Sequence, residues 1–233
     1  MKSMKLKGKK LINGNSRAEE IYLELRERIC LLNYEPGTIL REVDLAGEFN
    51  VSRTPIRQAL QRLQIEKLVE TKKAVGSIVT GYSFETLKDA YEVRIQILDA
   101  VANTAHRPYN QRDIADMEKL HASAQKLARF RDLQEYWRIN NQINEILGRI
   151  IDNTVLKSIH NSLYYQTARS WFQYVEKKWA ENIDMLESEI TEEIKPMKIG
   201  DTRGTLMVRR NYILLFLSIV DRDRLLHGTP GGQ

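Results

Sequence analysis

The chain is poor in cysteine and has no long apolar run, and each feature excludes a class of protein. One cysteine, Cys30, in 233 residues excludes an intrachain disulfide framework and a cysteine-rich zinc site. No apolar stretch approaches the roughly 20 residues that cross a bilayer. The basic start of the chain is not followed by the apolar segment of a secretory signal. We therefore expect a cytoplasmic protein without a membrane partner.

Catalytic motifs are also lacking. The sequence contains no P-loop, dinucleotide fingerprint, nucleophile elbow or paired-histidine zinc motif. No two of its four histidines are four residues apart, the spacing that places two ligands on one helix face: His106, His121, His160 and His227. These absences predict a protein that is not an enzyme and that holds no cofactor or metal.

Positive charge is concentrated in the first third of the chain. Residues 1–82 hold 15 Lys and Arg against 10 Asp and Glu, whereas residues 83–233 hold 21 of each. This asymmetry is typical of a chain in which one segment binds a polyanion. Five of the positive residues are lysines within the first ten positions, so a solvated lysine tail explains the excess equally well. Charge alone does not decide between the two.

The first third has the pattern of a winged helix-turn-helix. Apolar residues recur at helical spacing over residues 16–32, 42–49 and 52–66, and Ser16 with Glu19 forms a capping-box pair. Pro55 is compatible with the third helix because it falls in its first turn. Two short β-like runs follow, 68–71 and 77–80, around a turn at 72–76. They predict a small hairpin, or wing.

From Ser83 onward the periodicity is helical throughout. Short polar breaks separate six predicted helices: 84–106, 111–130, 133–151, 155 to about 175, 179–197 and 201–220. Short connections between helices indicate an antiparallel bundle. The fold class is therefore mainly α, a winged helix-turn-helix followed by an all-helical bundle. The predicted organisation is a basic flexible arm (1–15), a DNA-binding domain (16–81), a helical domain (84–224) and a disordered tail (225–233).

The third helix opens with residues suited to DNA. In a helix-turn-helix this helix enters the major groove with its N-terminus first. The hydroxyls of Ser52 and Thr54 suit phosphate oxygens, although both residues are equally suited to capping. Arg53 and Arg57 lie four residues apart on the face opposite Ile56, and a guanidinium pairs with guanine through two hydrogen bonds. Taken alone, the same two arginines are also compatible with a solvated surface.

The surrounding sequence resembles the GntR family of regulators over about 65 residues without a gap. The segments that carry the resemblance are 18–29, Pro36-Gly37-Thr38, Asp44-Leu45-Ala46, 51–63 and Gly76. The resemblance implies that Ser52, Arg53, Thr54 and Arg57 read DNA in the major groove. It also implies that the wing tip, with Lys72, Lys73 and Gly76, reaches the minor groove. Lys67 stands where the family commonly has glycine, which predicts a differently shaped turn into the wing.

The second part of the chain, with Tyr91-Glu92-Val93-Arg94 on its first helix, resembles the FadR-type branch and its FCD effector domain. Many members of that branch bind a divalent metal in the bundle through an aspartate and three histidines. Here those positions hold Asn140, Asn144, Glu189 or Ile190, and Tyr212. Amides and a phenol are poor ligands for transition metals. We therefore expect hydrogen-bonding groups, but no metal, in the cavity.

The candidate effector-binding residues are Arg94, Asn140, Asn144 and Tyr212. Arg94 binds an organic acid if it points inward, and is an interface or surface residue if it does not. Six aromatic residues fit a pocket, core packing or a dimer seam: Tyr164, Tyr165, Trp171, Phe172, Tyr174 and Trp179. The run Leu214–Val220 is apolar over most of its circumference, which predicts a buried central helix and a homodimer through the bundle.

The sequence as a whole predicts a transcription regulator that binds operator DNA under the control of a small-molecule effector. Of the two kinds of regulator, it favours a repressor. The alternative is a helical interaction module whose basic arm binds RNA or another protein. The wing after the helix-turn-helix favours the first hypothesis.

Overall fold

The structure is a computed structural model that describes residues 16–81, 83–104 and 106–227. It divides into two compact units, Met1–Gly81 and Tyr82–Gln233. The sequence-predicted arm (1–15) lies outside the described residues, as do residues 228–233 of the predicted tail. Within the described residues, no helix is long and apolar enough to span a bilayer.

The first unit contains three helices and a three-stranded antiparallel sheet. The elements in chain order are α1 (Arg17–Cys30), β1 (Ile39–Leu40), α2 (Glu42–Phe49), α3 (Arg53–Ile65), β2 (Val69–Lys72) and β3 (Gly76–Val79). The strand order is β1-β3-β2, with Val69 opposite Val79 and Lys72 opposite Gly76. The winged helix-turn-helix predicted from the sequence is confirmed.

Local chemistry explains the boundaries of these elements. Ser16 accepts a hydrogen bond from the Glu19 backbone N–H and so begins α1. Asn50 ends α2 in the left-handed region, at φ 51°, which asparagine tolerates better than most residues. Lys67 lies in the same region, at φ 59°. It therefore forms the turn in the conformation that glycine favours, at a cost of roughly 1 kcal/mol.

The second unit is built from six helices: α4 (Phe84–Asn103), α5 (Gln111–Leu127), α6 (Leu133–Ile150), α7 (Thr154–Lys177), α8 (Trp179–Lys198) and α9 (Thr202–His227). Side-chain caps begin five of them: Ser83, Asn110, Asp132 and Asn153 cap α4 to α7, and Asp201 accepts a hydrogen bond from the Gly204 backbone N–H at the start of α9. Helix α4 packs against α7 and α9, and α8 packs against α5 and α9. The all-helical bundle is confirmed as well.

Two predictions about the last helix are corrected. The sequence predicts a disordered tail over 225–233, but α9 continues to His227, because neither proline nor glycine occurs between Gly204 and Gly228. The apolar run Leu214–Val220 predicts a buried central helix. Ile213 and Phe216 are buried in the core, whereas Leu214 and Leu215 are substantially exposed. Helix α9 therefore lies at the edge of the described bundle and buries one face.

The core of the first unit is formed where α3 packs on α1. Leu63 of α3 is completely buried, whereas Ile65, two residues later, is 79% exposed. We predict that Leu63→Ala lowers the free energy of unfolding of this unit by about 2 to 5 kcal/mol, because it leaves a cavity. The control Ile65→Ala should change it by less than about 0.5 kcal/mol. Native-state hydrogen exchange of the α1 and α3 amides measures both, and equal effects of the two variants would contradict the packing described.

Candidate DNA interface and ligand site

The N-terminal turns of α3 are exposed. Ser52, Arg53, Thr54 and Arg57 all lie on the solvent side of the helix, while Ile56 is fully buried on the other. Ser52 makes no side-chain capping hydrogen bond. Its hydroxyl is therefore not committed to the helix end, which weakens the interpretation of this residue as a simple cap.

A carboxylate from α2 holds both arginines. Arg53 donates from Nε and Nη2 to Glu42 Oε2 at 3.2 and 2.8 Å. Arg57 donates from Nε to Oε1 and from Nη2 to Oε2, each at 3.0 Å. Hydrogen bonds from Arg57 and then from Arg53 lower the pKa of Glu42 to about 2. Glu42 therefore stays ionised and holds the two guanidinium groups side by side.

Sequence reasoning missed Glu42. It lies eleven residues before Arg53, and no short-range pattern joins the two positions. The signal that would have found it is geometric. In a helix-turn-helix the first helix crosses the second, so an acidic residue in the first turn of α2 reaches the exposed edge of α3.

The wing places its lysines near the hairpin turn. Lys72 is the last residue of β2, and its ammonium lies 3.1 Å from Glu70 in an exposed ion pair. Lys73 follows in the turn and is exposed. Gly76 has φ 129°, and a Cβ there would lie 3.1 Å from the carbonyl oxygen of Leu40. The structure thus gives Gly76 a structural role, since it lets β3 approach β1.

The interior of the second unit holds Arg94 of α4, which is 2% exposed. Its Nη1 donates to Thr167 Oγ1 at 2.7 Å, and its guanidinium lies 5.4 to 5.5 Å from the ring centres of Tyr91, Tyr164 and Trp171. Its Nε has no hydrogen-bond partner, and no carboxylate of the described residues forms an ion pair with it. Burial lowers the pKa of Arg94. The positive charge is therefore buried without a direct counter-ion.

Asn144 of α6 is also buried, beside His160 of α7. Its Oδ1 lies 2.8 Å from His160 Nε2, and its Nδ2 donates to Asn161 Oδ1 at 3.3 Å. Burial first, and then the nearby Arg94 and Arg209, lower the pKa of His160 to about 3. The imidazole is therefore neutral at physiological pH, and in the part of the chain that the structure describes its Nδ1 has no hydrogen-bond partner. His160 is therefore a polar group beside Asn144 that was not among the effector-binding residues predicted from the sequence.

The other two candidate residues lie elsewhere on their helices. Asn140 is half-buried on α6 and donates to the backbone oxygen of Tyr136 at 2.9 Å. Tyr212 of α9 is half-buried in a groove between α8 and α9. The structure gives no contact that joins Tyr212 to Arg94 or Asn144 among the described residues.

A buried ion pair lies near Glu189 and Ile190, one of which the family pattern predicts at a metal-ligand position. Arg209 of α9 donates through two hydrogen bonds, 2.7 and 2.6 Å long, to both carboxylate oxygens of Glu193. The Oε1 atom of Glu189 lies 3.5 Å from the same guanidinium, whereas Ile190 is fully buried in the core. The pKa of Glu193 is raised to about 7, mainly because the carboxyl group is buried. In the described part of the chain, no three potential ligands cluster in a way that suits a metal.

The elements and contacts above define a winged helix-turn-helix protein with an appended helical domain. The model for bacterial regulatory proteins of the gntR family matches residues 17–79, and the model for the FCD domain matches residues 89–192. The chain belongs to the GntR family, and its second domain is an FCD domain.

Two relatives are gluconate operon transcriptional repressors, from Bacillus licheniformis and Bacillus subtilis (strain 168). They are 30% and 29% identical to this chain over 154 residues, which are 66% of the chain and 63% of each relative. The chain thus matches less than two thirds of their length. Both are named as regulators of transcription and not as enzymes.

Two solved structures share the fold. Escherichia coli McbR/YncC superposes with a TM-score of 0.73 and 18% identity, over 90% of this chain and 99% of that one. A GntR regulator from Rhodococcus sp. RHA1 gives a TM-score of 0.68 and 18% identity, over 89% and 99%. At this identity the likeness concerns the fold alone.

We predict that Glu42→Gln raises the affinity for random-sequence duplex DNA. A neutral amide no longer offsets the charge of the two arginines, so the slope of log affinity against log salt should steepen by up to about one unit. Fluorescence anisotropy titrations of labelled duplex across a salt series measure this slope. Glu35→Gln removes one charge from an exposed turn of the same unit and should have less effect on this slope. An unchanged slope for Glu42→Gln would contradict the proposed neutralisation.

Proposed function

We propose that this protein is a transcription regulator that binds operator DNA through α3 and the wing. The observation that carries the proposal is the pair of exposed arginines, Arg53 and Arg57, on one edge of α3. A guanidinium fork matches the O6 and N7 acceptors of guanine. Ser52 and Thr54 supply hydroxyls to the phosphates, and Lys72 and Lys73 of the wing contact the backbone of the minor groove. The repressor names of the relatives support repression as the effect on transcription, and a DNA partner favours a cytoplasmic location.

The proposed effector is a small organic acid bound beside Arg94. A buried cation without a counter-ion favours an anionic ligand, because a carboxylate would recover part of the desolvation cost. Arg94 Nε is a free donor, and Asn144 with His160 supplies further polar groups in the same interior. We infer no metal in this recognition, because the positions of the family pattern hold Asn140, Asn144 and Tyr212.

A homodimer through the second unit completes the proposal. Val155 and Ile159 lie four residues apart on α7 and are 66% and 40% exposed, and Leu214 of α9 is also exposed. Two-fold symmetric dimers read two half-sites of an operator. We expect sedimentation velocity at micromolar concentration to show a species of twice the 27.2 kDa chain. A monomer alone would remove this part of the proposal.

The DNA-reading role has a direct test. A preferred duplex is first selected from a random library. Arg57→Ala should then reduce discrimination between this duplex and single-base mismatches by roughly 5- to 150-fold. Lys72→Ala should instead weaken all duplexes alike and flatten the salt slope by about 0.9.

The matched control is Arg112→Ala, which removes an exposed arginine from the second unit. It should leave both discrimination and slope unchanged. Equal discrimination by wild type and Arg57→Ala would exclude the assigned role. A preference for RNA over every duplex in the selection would favour an RNA-binding module instead.

The effector role is tested with Arg94→Met. Because Arg94 has no ion pair to break, the variant without ligand should be at least as stable as wild type. Organic acids, gluconate among them, are screened by thermal shift, and any acid that stabilises wild type by about 2.7 kcal/mol at 100 times its Kd should lose that effect in the variant.

Arg210→Met serves as the control, since Arg210 pairs with Asp99 and lies outside this interior. It should keep the shift that the acid produces. An acid that stabilises wild type and Arg94→Met equally would show that Arg94 does not bind it. Mass spectrometry of the small molecules that purify with the protein identifies the natural candidate.

A further inference from the structure

A groove lies between α8, α9 and the last turns of α7. The groove has a volume of about 260 Å³. Its apolar part comes from Met185, Leu215 and Ile219, and the side chains of Tyr174 and Tyr212 also line it. A groove of this size and lining suits a small molecule with a hydrocarbon or aromatic body.

The groove contains a buried acceptor without a donor. Asn182 of α8 is 2% exposed and lines the groove. Its Nδ2 donates to the backbone oxygen of Lys178 at 2.7 Å, but its Oδ1 has no hydrogen-bond partner among the described residues. A buried acceptor that is left unsatisfied is costly, so the side chain favours a ligand that brings an N–H or O–H group.

The charged residues that line the groove indicate the charge of a ligand that would bind there. Its nine lining residues include the carboxylates of Glu181 and Asp184 and no lysine, arginine or histidine. Glu181 lies 3.9 Å from the ammonium of Lys178, and the same ammonium lies only 2.6 Å from Asp223. The negative charge at the groove is therefore only partly neutralised, which disfavours an anion and favours a cation.

We propose that this groove binds an organic ammonium ion. Its N–H group donates to Asn182 Oδ1, and its charge lies beside Glu181 and Asp184. Its apolar body packs on Met185 and Leu215, and the tyrosine rings provide additional attraction for the cation. The site is distinct in residues and in charge preference from the interior around Arg94, and it does not depend on the proposed DNA-binding role.

The probe is 2-phenylethylammonium, titrated calorimetrically into the full chain at pH 7. The neutral analogue 2-phenylethanol has the same body and keeps one donor, but it lacks the charge. We expect the ammonium ion to bind about tenfold more tightly than the alcohol. Asn182→Leu should weaken the ammonium ion about tenfold, and Asp184→Asn should weaken it several-fold while leaving the alcohol unchanged.

The matched control is Glu187→Gln, which removes one charge from the same helix at a position outside the groove. It should leave binding unchanged. Equal affinity for the ammonium ion and the alcohol would overturn the proposal, as would no binding at about 10 mM ammonium ion. If Asn182→Leu fails to fold, Asp184→Asn decides, because Asp184 is exposed. Dissociation of a dimer by either variant would show that the groove is an interface between copies and would also overturn the proposal.

Discussion

The packing of α3 on α1 is the constraint on which the proposed DNA interface depends. The buried face of α3 repeats at helical spacing through Ile56, Ala59, Leu60 and Leu63. Once these side chains are buried against α1, Arg53 and Arg57 are forced onto the opposite edge. Glu42 then fixes the two guanidinium groups relative to each other. The apolar core thus determines where the charged groups of the interface lie.

Inside the second unit, the pairing of buried charges determines which group is left to bind a ligand. Arg94 and Arg209 supply two buried positive charges, and Glu189 and Glu193 supply two carboxylates. Arg209 forms the close ion pairs, with Glu193 at 2.6 Å and Glu189 at 3.5 Å. Arg94 is left with a hydroxyl and three aromatic rings, which stabilise a cation less than a carboxylate does. The interior therefore keeps a positive centre at Arg94, while the positions where the family resemblance predicts metal ligands hold residues such as Asn140, Asn144 and Tyr212.

The fold was largely predictable because it is encoded in local patterns. Helical periodicity, the caps at Ser16 and Ser83 and the turn residues all act over a few neighbours. The exposed half of α9 was mispredicted for a related reason. A run such as Leu214–Val220 is apolar over most of its circumference, so its periodicity does not indicate which face is buried. The buried face of α9 is determined by α4 and α8, which pack on this helix.

The candidate sites were less predictable, because they join residues that are distant in sequence. The exposed edge of α3 followed from spacing, but Glu42 did not. The grouping of Tyr212 with Arg94 rested on a family pattern of ligands. On α9, Arg209 and Tyr212 are three residues apart and therefore point about 60° apart around the helix. Arg209 faces Glu193, whereas Tyr212 lines the groove beside Ser188. The sequence gives this angle, but it does not show which of the two directions faces the interior around Arg94, and the expected site is therefore divided into two.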